Sequence, residues 1–258
     1  FMRWELTDAS GRRLRAVRAV DTATHPDFQR RGIFSTLTTA AIEEMAAEGV
    51  DIVFNTPNDQ SRPGYLKMGW IDVGRLPVAM RPTSAASLVR LLRARTAAEK
   101  WSEPSPAGVP AIEALAAREV DELVASQPSP DGLATPLTSE FLRWRYGFEP
   151  LHYRAWMPGG AGEGLALFRV RRRGSARECS LGTVLAPAGD PARLRRLLRG
   201  LAKAVDADYV LRMGPPDLRA GFVPMPGQGP RLTAREVTSR PDPDLAHWHL
   251  TLGDIELF

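Results

Sequence analysis

The residues best suited to chemistry stand together in the stretch Thr24-His25-Pro26-Asp27-Phe28-Gln29-Arg30-Arg31-Gly32-Ile33-Phe34-Ser35. It joins an extended segment to the start of an amphipathic helix. The first N–H groups of a helix have no internal partner, and the helix dipole adds partial positive charge there. Gly32 lets a ligand approach the backbone closely, so the turn can cradle a pyrophosphate through its amides. Arg30 and Arg31 supply charge for further phosphate oxygens. Taken alone, the same residues also make a plain exposed basic turn. Context comes from a second stretch, Asn55 to Trp70, in which a short helix carries Tyr65 and ends at Gly69-Trp70.

The elements that must position these groups follow from periodicity and punctuation. Phe1 to Thr7 and Leu14 to Thr24 read as strands around a turn at Asp8 to Gly11. Ile33 to Ala47 reads as a helix with Ile33, Leu37, Ala41 and Met45 on its stripe and Gly49 as its stop. Ile52 to Phe54 is a buried strand, Pro63 to Met68 a short helix, and Trp70 to Val73 and Val78 to Met80 two more strands. Strand, helix, strand in this order predicts neighbouring parallel strands. Ser84 to Lys100 reads as an amphipathic helix and Ser102 to Pro110 as a linker. Helices over Ala111 to Ser126, Ser139 to Tyr146 and Pro191 to Val205 follow. They are interleaved with strands at His152 to Trp156, Leu165 to Val170, Cys179 to Leu185 and Tyr209 to Arg212. Glu236 to Thr238 and His247 to Leu252 are the last strands expected.

The later part reads as a worn copy of the first. Leu167 to Val170, Gly174, Thr183 to Pro187 and Ala204 to Pro215 repeat the order of Met2 to Leu6, Gly11, Thr22 to Pro26 and Ala47 to Pro57. When Pro26 is matched with Pro187 and Asp51 with Asp208, the second copy is shorter. The residues it lacks are those of the glycine-arginine loop. One active half and one structural half are expected.

With both stretches in view, the sequence resembles the GCN5-related N-acetyltransferase (GNAT) superfamily. The first stretch is similar to its acyl-CoA signature, Gln/Arg-x-x-Gly-x-Gly/Ala, with Gln29, Gly32 and Phe34 in the fixed positions. The second is similar to its downstream motif, met by Asn58, Tyr65, Gly69 and Trp70. The resemblance is strong over residues 1 to about 82 and reaches the remainder through the repeat. It implies an α/β fold, the acyl-CoA N-acyltransferase (GNAT) fold, with a mixed central sheet flanked by helices in two tandem GNAT-like domains. Residues 1–82 would form the acetyltransferase domain, 83–110 a helix and linker, and 111–258 a degenerate second domain.

The same resemblance implies acetyl-CoA as co-substrate. Ala23 and Thr24 would pair with the pantetheine arm and Asn58 would sit beside it. Gln29 and the amides of Arg30, Arg31, Gly32, Ile33, Phe34 and Ser35 would serve the pyrophosphate. The acetyl group would pass directly to a primary amine of a small molecule, with Tyr65 as the general acid for the departing thiolate. The plain alternative for Tyr65 is a core tyrosine on a short helix. Phe34 stands where the family has a small residue, which resembles the tandem, enhanced-intracellular-survival subgroup. The family's first strand, two helices and second strand have no counterpart before Phe1. For the general base, Asp21 and the C-terminal carboxylate of Phe258 are the candidates.

Composition limits the alternatives. The chain has 258 residues, 43% of them apolar and 25% charged, with 34 basic against 30 acidic side chains and one cysteine. That is globular composition with no disulfide framework. The arginine clusters at 12–13, 171–173 and 195–196 lie on separate segments, which argues against a nucleic-acid partner. No apolar run approaches the roughly 18 residues of a membrane span, and no signal peptide is read, so a cytoplasmic protein without a membrane partner is expected. A homo-oligomer built through sheet edges is the remaining partner expectation. His247 and His249 share a face if they lie on a strand, yet no third ligand stands nearby, and no metal is expected. Cys179, in an apolar strand, reads as a packing residue. Two other functions compete with acetyl transfer. One is aminoacyl-tRNA-dependent peptidyl transfer by paired GNAT-like domains, and the other is acyl-CoA sensing without turnover.

Overall fold

The computed structural model of the chain describes residues 1–84, 87, 90 and 96–255. It divides into two compact units. The first takes Phe1–Leu76, Ser129–Pro136 and Gly229–His249, and the second Pro77–Pro128, Leu137–Gln228 and Leu250–Phe258.

In the first unit, β1 (Met2–Thr7) and β2 (Arg13–Arg18) form an antiparallel hairpin. The Asp8 carboxylate closes its turn by accepting from the N–H groups of Ser10 (2.9 Å) and Arg12 (3.1 Å). Next come α1 (Ile33–Ala47) and β3 (Ile52–Asn55), which lies parallel to β2 as the strand-helix-strand order predicts. Then follow α2 (Arg62–Lys67) and β4 (Ile71–Arg75). The buried side chains of α1 are Thr38, Ile42 and Met45. The expected stripe through Leu37 is therefore corrected, for Leu37 is 65% exposed. The helix is rotated by about one residue, 100°, which still keeps Met45 inward against Val17, Val50 and Val53.

The second unit holds β5 (Val78–Pro82), β6 (Ser102–Glu103), β7 (Val109–Pro110), α3 (Ala111–Ala114), α4 (Arg118–Ala125) and α5 (Ser139–Tyr146). It continues with β8 (Arg154–Trp156), β9 (Leu165–Arg173), β10 (Ala176–Leu185), α6 (Pro191–Ala204), β11 (Tyr209–Met213), β12 (Val223–Pro224) and, near the chain's end, α7 (Leu252–Ile255). The last strand, β13 (Arg231–Glu236), belongs to the first unit.

Among the described residues the first sheet runs β1-β2-β3-β13-β4. The second runs β12-β5-β11-β10-β9-β8-β7, with β6 beside β9. The domain limits expected from sequence differ from this division. β13 pairs antiparallel with both β3 and β4, and β5 pairs with β11, so each sheet takes in a strand from beyond residue 82 or before it. A strand joins the sheet that satisfies its backbone hydrogen bonds, wherever it lies in the chain. The segment Ser102 to Pro110 is not a free linker either. Its two short strands pair with β9 and β8, and Glu103 binds Arg172 and Arg177. The helix expected over Ser84 to Lys100 falls largely on residues 85–86, 88–89 and 91–95, outside the described residues. His247 to Leu252 forms no strand: Leu245–His247 is a 3-10 turn and Leu252–Ile255 is helical.

The repeat holds down to individual side chains. In each unit an antiparallel hairpin, a 3-10 turn opened by proline (Pro26 or Pro187), a long helix and a parallel strand follow in order. Asp51 donates its N–H to Arg15 O (2.7 Å) and accepts from Arg15 N with its carboxylate (2.8 Å). Asp208 does the same with Arg177, at 2.8 Å and 2.8 Å. Ser239 and Ser87, which follow β13 and β5, bind these two carboxylates in turn. Both units thus carry one pattern, as tandem domains of a mixed α/β fold do.

Candidate acyl-transfer site

The parallel pairing of β2 with β3 ends at Arg18 and Phe54. Beyond that pair the chain after β2 leaves the sheet, while β3 runs on to Asn55. Ala23 and Thr24 accordingly lie in an irregular segment and not on the strand expected to reach them. Asp21, at φ 48°, is the left-handed residue that turns the chain out of the strand. It is exposed at that turn and not on the sheet.

The loop next folds around His25 to Gly32. His25 Nδ1 accepts from Asp27 N (3.3 Å), and Gln29 Nε2 donates to Thr24 O (3.1 Å), which ties the loop to the segment after β2. Arg30 has φ 59° and Gly32 φ 78°. A β-carbon on Gly32 would meet nothing within 4 Å, so the glycine serves backbone conformation and open approach together. Arg31 donates to Asp27 O (3.0 Å) and lies over the Phe28 ring at 5.0 Å, while Arg30 and Arg31 are both exposed.

The starts of α1 and α6 differ in one decisive respect. Gly32 caps α1 without a side-chain hydrogen bond. In the second unit Asp190 caps α6, and its carboxylate accepts from Ala192 N (2.8 Å) and Arg193 N (3.4 Å). A fixed carboxylate already occupies the positive helix end there, whereas the start of α1 has no side-chain cap.

Tyr65, on α2, is 3% exposed. Its ring meets Phe34 edge-on at 5.1 Å and Trp70 at 5.0 Å. Burial pushes the phenol above the ordinary tyrosine range, while hydrogen bonds with the side chains of Thr22 and Asn55 act against that shift. The phenol therefore stays protonated at neutral pH. Phe34 turns its ring toward Tyr65 and Gly64, which accounts for a bulky residue at this loop position. A β-carbon at Gly64 would stand only 2.9 Å from Phe34 Cε1. Asn58 is exposed, and its Oδ1 is engaged by Gln60 N, Ser61 N and Ser61 Oγ as a cap on the approach to α2. Sequence reading passed over Thr22, Asn55 and Thr233. Thr233 Oγ1 donates to Asn55 Oδ1 (2.8 Å), and no local pattern relates residues so far apart.

Phe258 lies outside the described residues. His247 pairs with Asp242 (2.8 Å) and His249 with Asp131 (2.9 Å), so each imidazole has its own carboxylate. Among the described residues no group of three or more His, Cys, Asp or Glu is arranged to hold a metal ion. Cys179 is fully buried in the second unit's core, beside Phe168, Leu181 and Leu201.

The splayed parallel pair, the glycine-capped helix and the mixed sheet are those of the GNAT fold. Residues 6–71 match the family described as "Acetyltransferase (GNAT) domain". The chain is similar in structure to a GCN5-related N-acetyltransferase from Anabaena variabilis. The two share 12% identity with a TM-score of 0.60, over 92% of this chain and 58% of that one. It is also similar to a GCN5-related N-acetyltransferase from Kribbella flavida, at 18% identity and a TM-score of 0.55, over 91% of this chain and 56% of that one. A protein of Enterococcus faecalis described as a "Probable N-Acyltransferase" matches at 12% identity and a TM-score of 0.54, over 91% of this chain and 57% of the other. The chain thus spans less than three fifths of each of these structures. No curated protein matches the sequence. These likenesses agree with the superfamily read from the two motifs. Among the described residues no helix is long and apolar enough to cross a membrane.

Proposed function

We propose that this chain is part of an acyl-CoA-dependent N-acetyltransferase that moves an acetyl group from acetyl-CoA to a primary amine of a small molecule. One contrast carries the reading: α1 opens on a bare glycine flanked by Arg30 and Arg31, whereas α6 in the repeat is closed by its own aspartate. The first unit is therefore the half suited to a pyrophosphate. Ala23 and Thr24 border the pantetheine path, the amides of Gly32 to Ser35 serve the phosphates, and Asn58 lies at the mouth of α2. In the reaction the amine nitrogen forms a bond to the thioester carbonyl and the carbon–sulfur bond breaks. The amine gives its proton to solvent water, the thiolate takes one from the buried, protonated Tyr65 phenol, and water then returns a proton to the tyrosine.

Calorimetric titration with acetyl-CoA, with free CoA and ATP as controls, tests the cofactor assignment. Acetyl-CoA and CoA should bind and ATP should not. Replacing Arg30 and Arg31 together with alanine should weaken binding by about a hundredfold, the equivalent of two modest charge-assisted contacts. Unchanged affinity in that double variant would remove the phosphate-loop assignment. Tyr65→Phe should keep acetyl-CoA affinity and lose turnover on an amine panel. Binding without turnover on any amine by the unaltered chain would favour a sensor. Capture of charged tRNA with no response to CoA would favour peptidyl transfer.

A further inference from the structure

The loop and helix start around Gly32 carry two phenylalanines with opposite surroundings. Phe34 turns inward and meets Tyr65 edge-on at 5.1 Å. Phe28 is 49% exposed and lies outside the core cluster that takes in Phe34. Its ring is held in place all the same. It ends a 3-10 turn, Pro26–Phe28, closed by its own N–H on His25 O (2.9 Å) and by Gln29 N–H on Pro26 O (3.3 Å). The Arg31 guanidinium lies over the ring, 5.0 Å from its centre, and is anchored by Nη2 on Asp27 O (3.0 Å). His25 meets the same ring edge-on at 5.9 Å.

The turn itself does not require that ring, as the repeat shows. Matching Pro26 with Pro187 sets Phe28 against Gly189. The second unit closes the same turn with the same two bonds, Gly189 N–H on Ala186 O (2.9 Å) and Asp190 N–H on Pro187 O (3.0 Å). It does so without a side chain at this position: Gly189 has φ 68°, and a β-carbon there would stand 3.1 Å from Pro128 Cγ. One copy packs the position shut, and the other places an aromatic ring there and leaves about half of it open. The copy with the ring is also the one with Arg30, Arg31 and the uncapped helix start.

We propose that Phe28 is the platform on which the adenine of acyl-CoA stacks, with Arg31 as the strut that holds it. The proposal rests on the acyl-CoA reading of the same loop. With the pyrophosphate at the start of α1 and the pantetheine arm running toward Tyr65, the adenosine is the part of the cofactor left on the solvent side. Its base is the cofactor's one flat aromatic group, and an exposed ring takes such a base by stacking. The cation over Phe28 belongs to the residue next to Gly32, so one loop grips both base and phosphates. Because the turn, the strut and the edge contact fix the ring beforehand, little freedom is lost when the base arrives. Phe28 is in this sense a binding residue for the co-substrate and has no part in the proton transfers.

The test compares acetyl-CoA with acetyl-phosphopantetheine, which keeps the arm and one phosphate but has no adenosine, by calorimetric titration of the full chain. Phe28→Leu keeps apolar bulk and loses the ring. It should weaken acetyl-CoA by about tenfold, the scale of one base stacked on an aromatic side chain, and leave acetyl-phosphopantetheine unchanged. Phe28→Trp should bind acetyl-CoA at least as tightly as the unaltered chain. A second readout comes from the ligand. The ring current of Phe28 should move the adenine H2 and H8 NMR signals of bound acetyl-CoA upfield, and that shift should vanish in Phe28→Leu. Where acetyl-phosphopantetheine binds too weakly to titrate, the adenine signals decide. Equal losses for the two ligands in Phe28→Leu, or adenine signals that coincide in the two proteins, would overturn the platform while acetyl-CoA binding by the unaltered chain keeps the acyl-CoA reading. No binding of acetyl-CoA by the unaltered chain would overturn both.

Discussion

The contact between Gly64 and Phe34 gives a prediction whose sign depends on a partner. Gly64 lies within α2, where alanine exceeds glycine in helix preference by about 1 kcal/mol, so Gly64→Ala in an open site would stabilise. Here the added methyl would stand 2.9 Å from Phe34 Cε1 and 3.4 Å from Cδ1, against the roughly 3.5–4.0 Å of an ordinary carbon contact. The ring must retreat by more than half an ångström. Its other side meets Tyr65 edge-on at 5.1 Å, a contact worth about 0.5–1.5 kcal/mol, and overpacking of this kind costs about 1–3 kcal/mol. The net effect of Gly64→Ala should be a loss of about 1 kcal/mol. In a Phe34→Ala background the obstruction is gone, and the same change should stabilise by about 1 kcal/mol. Urea denaturation of the four proteins measures the difference, a coupling of about 2 kcal/mol. Additive effects within about 0.5 kcal/mol, or a stabilising Gly64→Ala alone, would refute the packing argument.

Two further expectations concern ionisable groups. Burial acts to raise the Asp208 carboxyl, but the Arg177 N–H, Arg90 and Ser87 outweigh it and hold the group below its ordinary value of 3.8. Its contribution is complete above that value and is lost as pH falls through the lower, folded-state value. Asp208→Asn should therefore cost about 1–3 kcal/mol near pH 7, and the gap should close below pH 3.8 in acid denaturation. His247 is raised above 6.5 by its hydrogen bond to Asp242 and by that residue's charge. The pairing supports the fold below 6.5 and fades as pH rises through the folded value. An NMR titration should place the imidazole midpoint above 6.5, and Asp242→Asn should lower it toward that value.

The local elements were largely legible in the sequence. The bounds of α1, the hairpin of β1 and β2, the short helix bearing Tyr65 and the loop around Gly32 all follow from signals a few residues long. Even the match of Asp51 with Asp208 was readable, because two copies of one pattern preserve order. The misreadings share a cause. The α1 stripe differs by one residue, since α1 carries Ile33 and Leu37 on one face and Ile42 on another, and only the packing sheet selects between them. The histidines at 247 and 249 alternate like strand residues, yet Asp244 and Asp242 draw that segment into a turn.

The sequence by itself carried the two motifs that resemble the GNAT superfamily, because a glycine-opened helix start and its neighbouring arginines are written in local order. It also determined which half of the repeat keeps that loop. Tertiary structure alone decided which strands complete each sheet, since backbone hydrogen bonds carry no record of chain position and β13 and β5 pair far from their neighbours. It alone brought Thr233 to Asn55. The orientation of a buried amide is set by whichever donor the fold delivers, and no pattern of residues along the chain encodes that meeting.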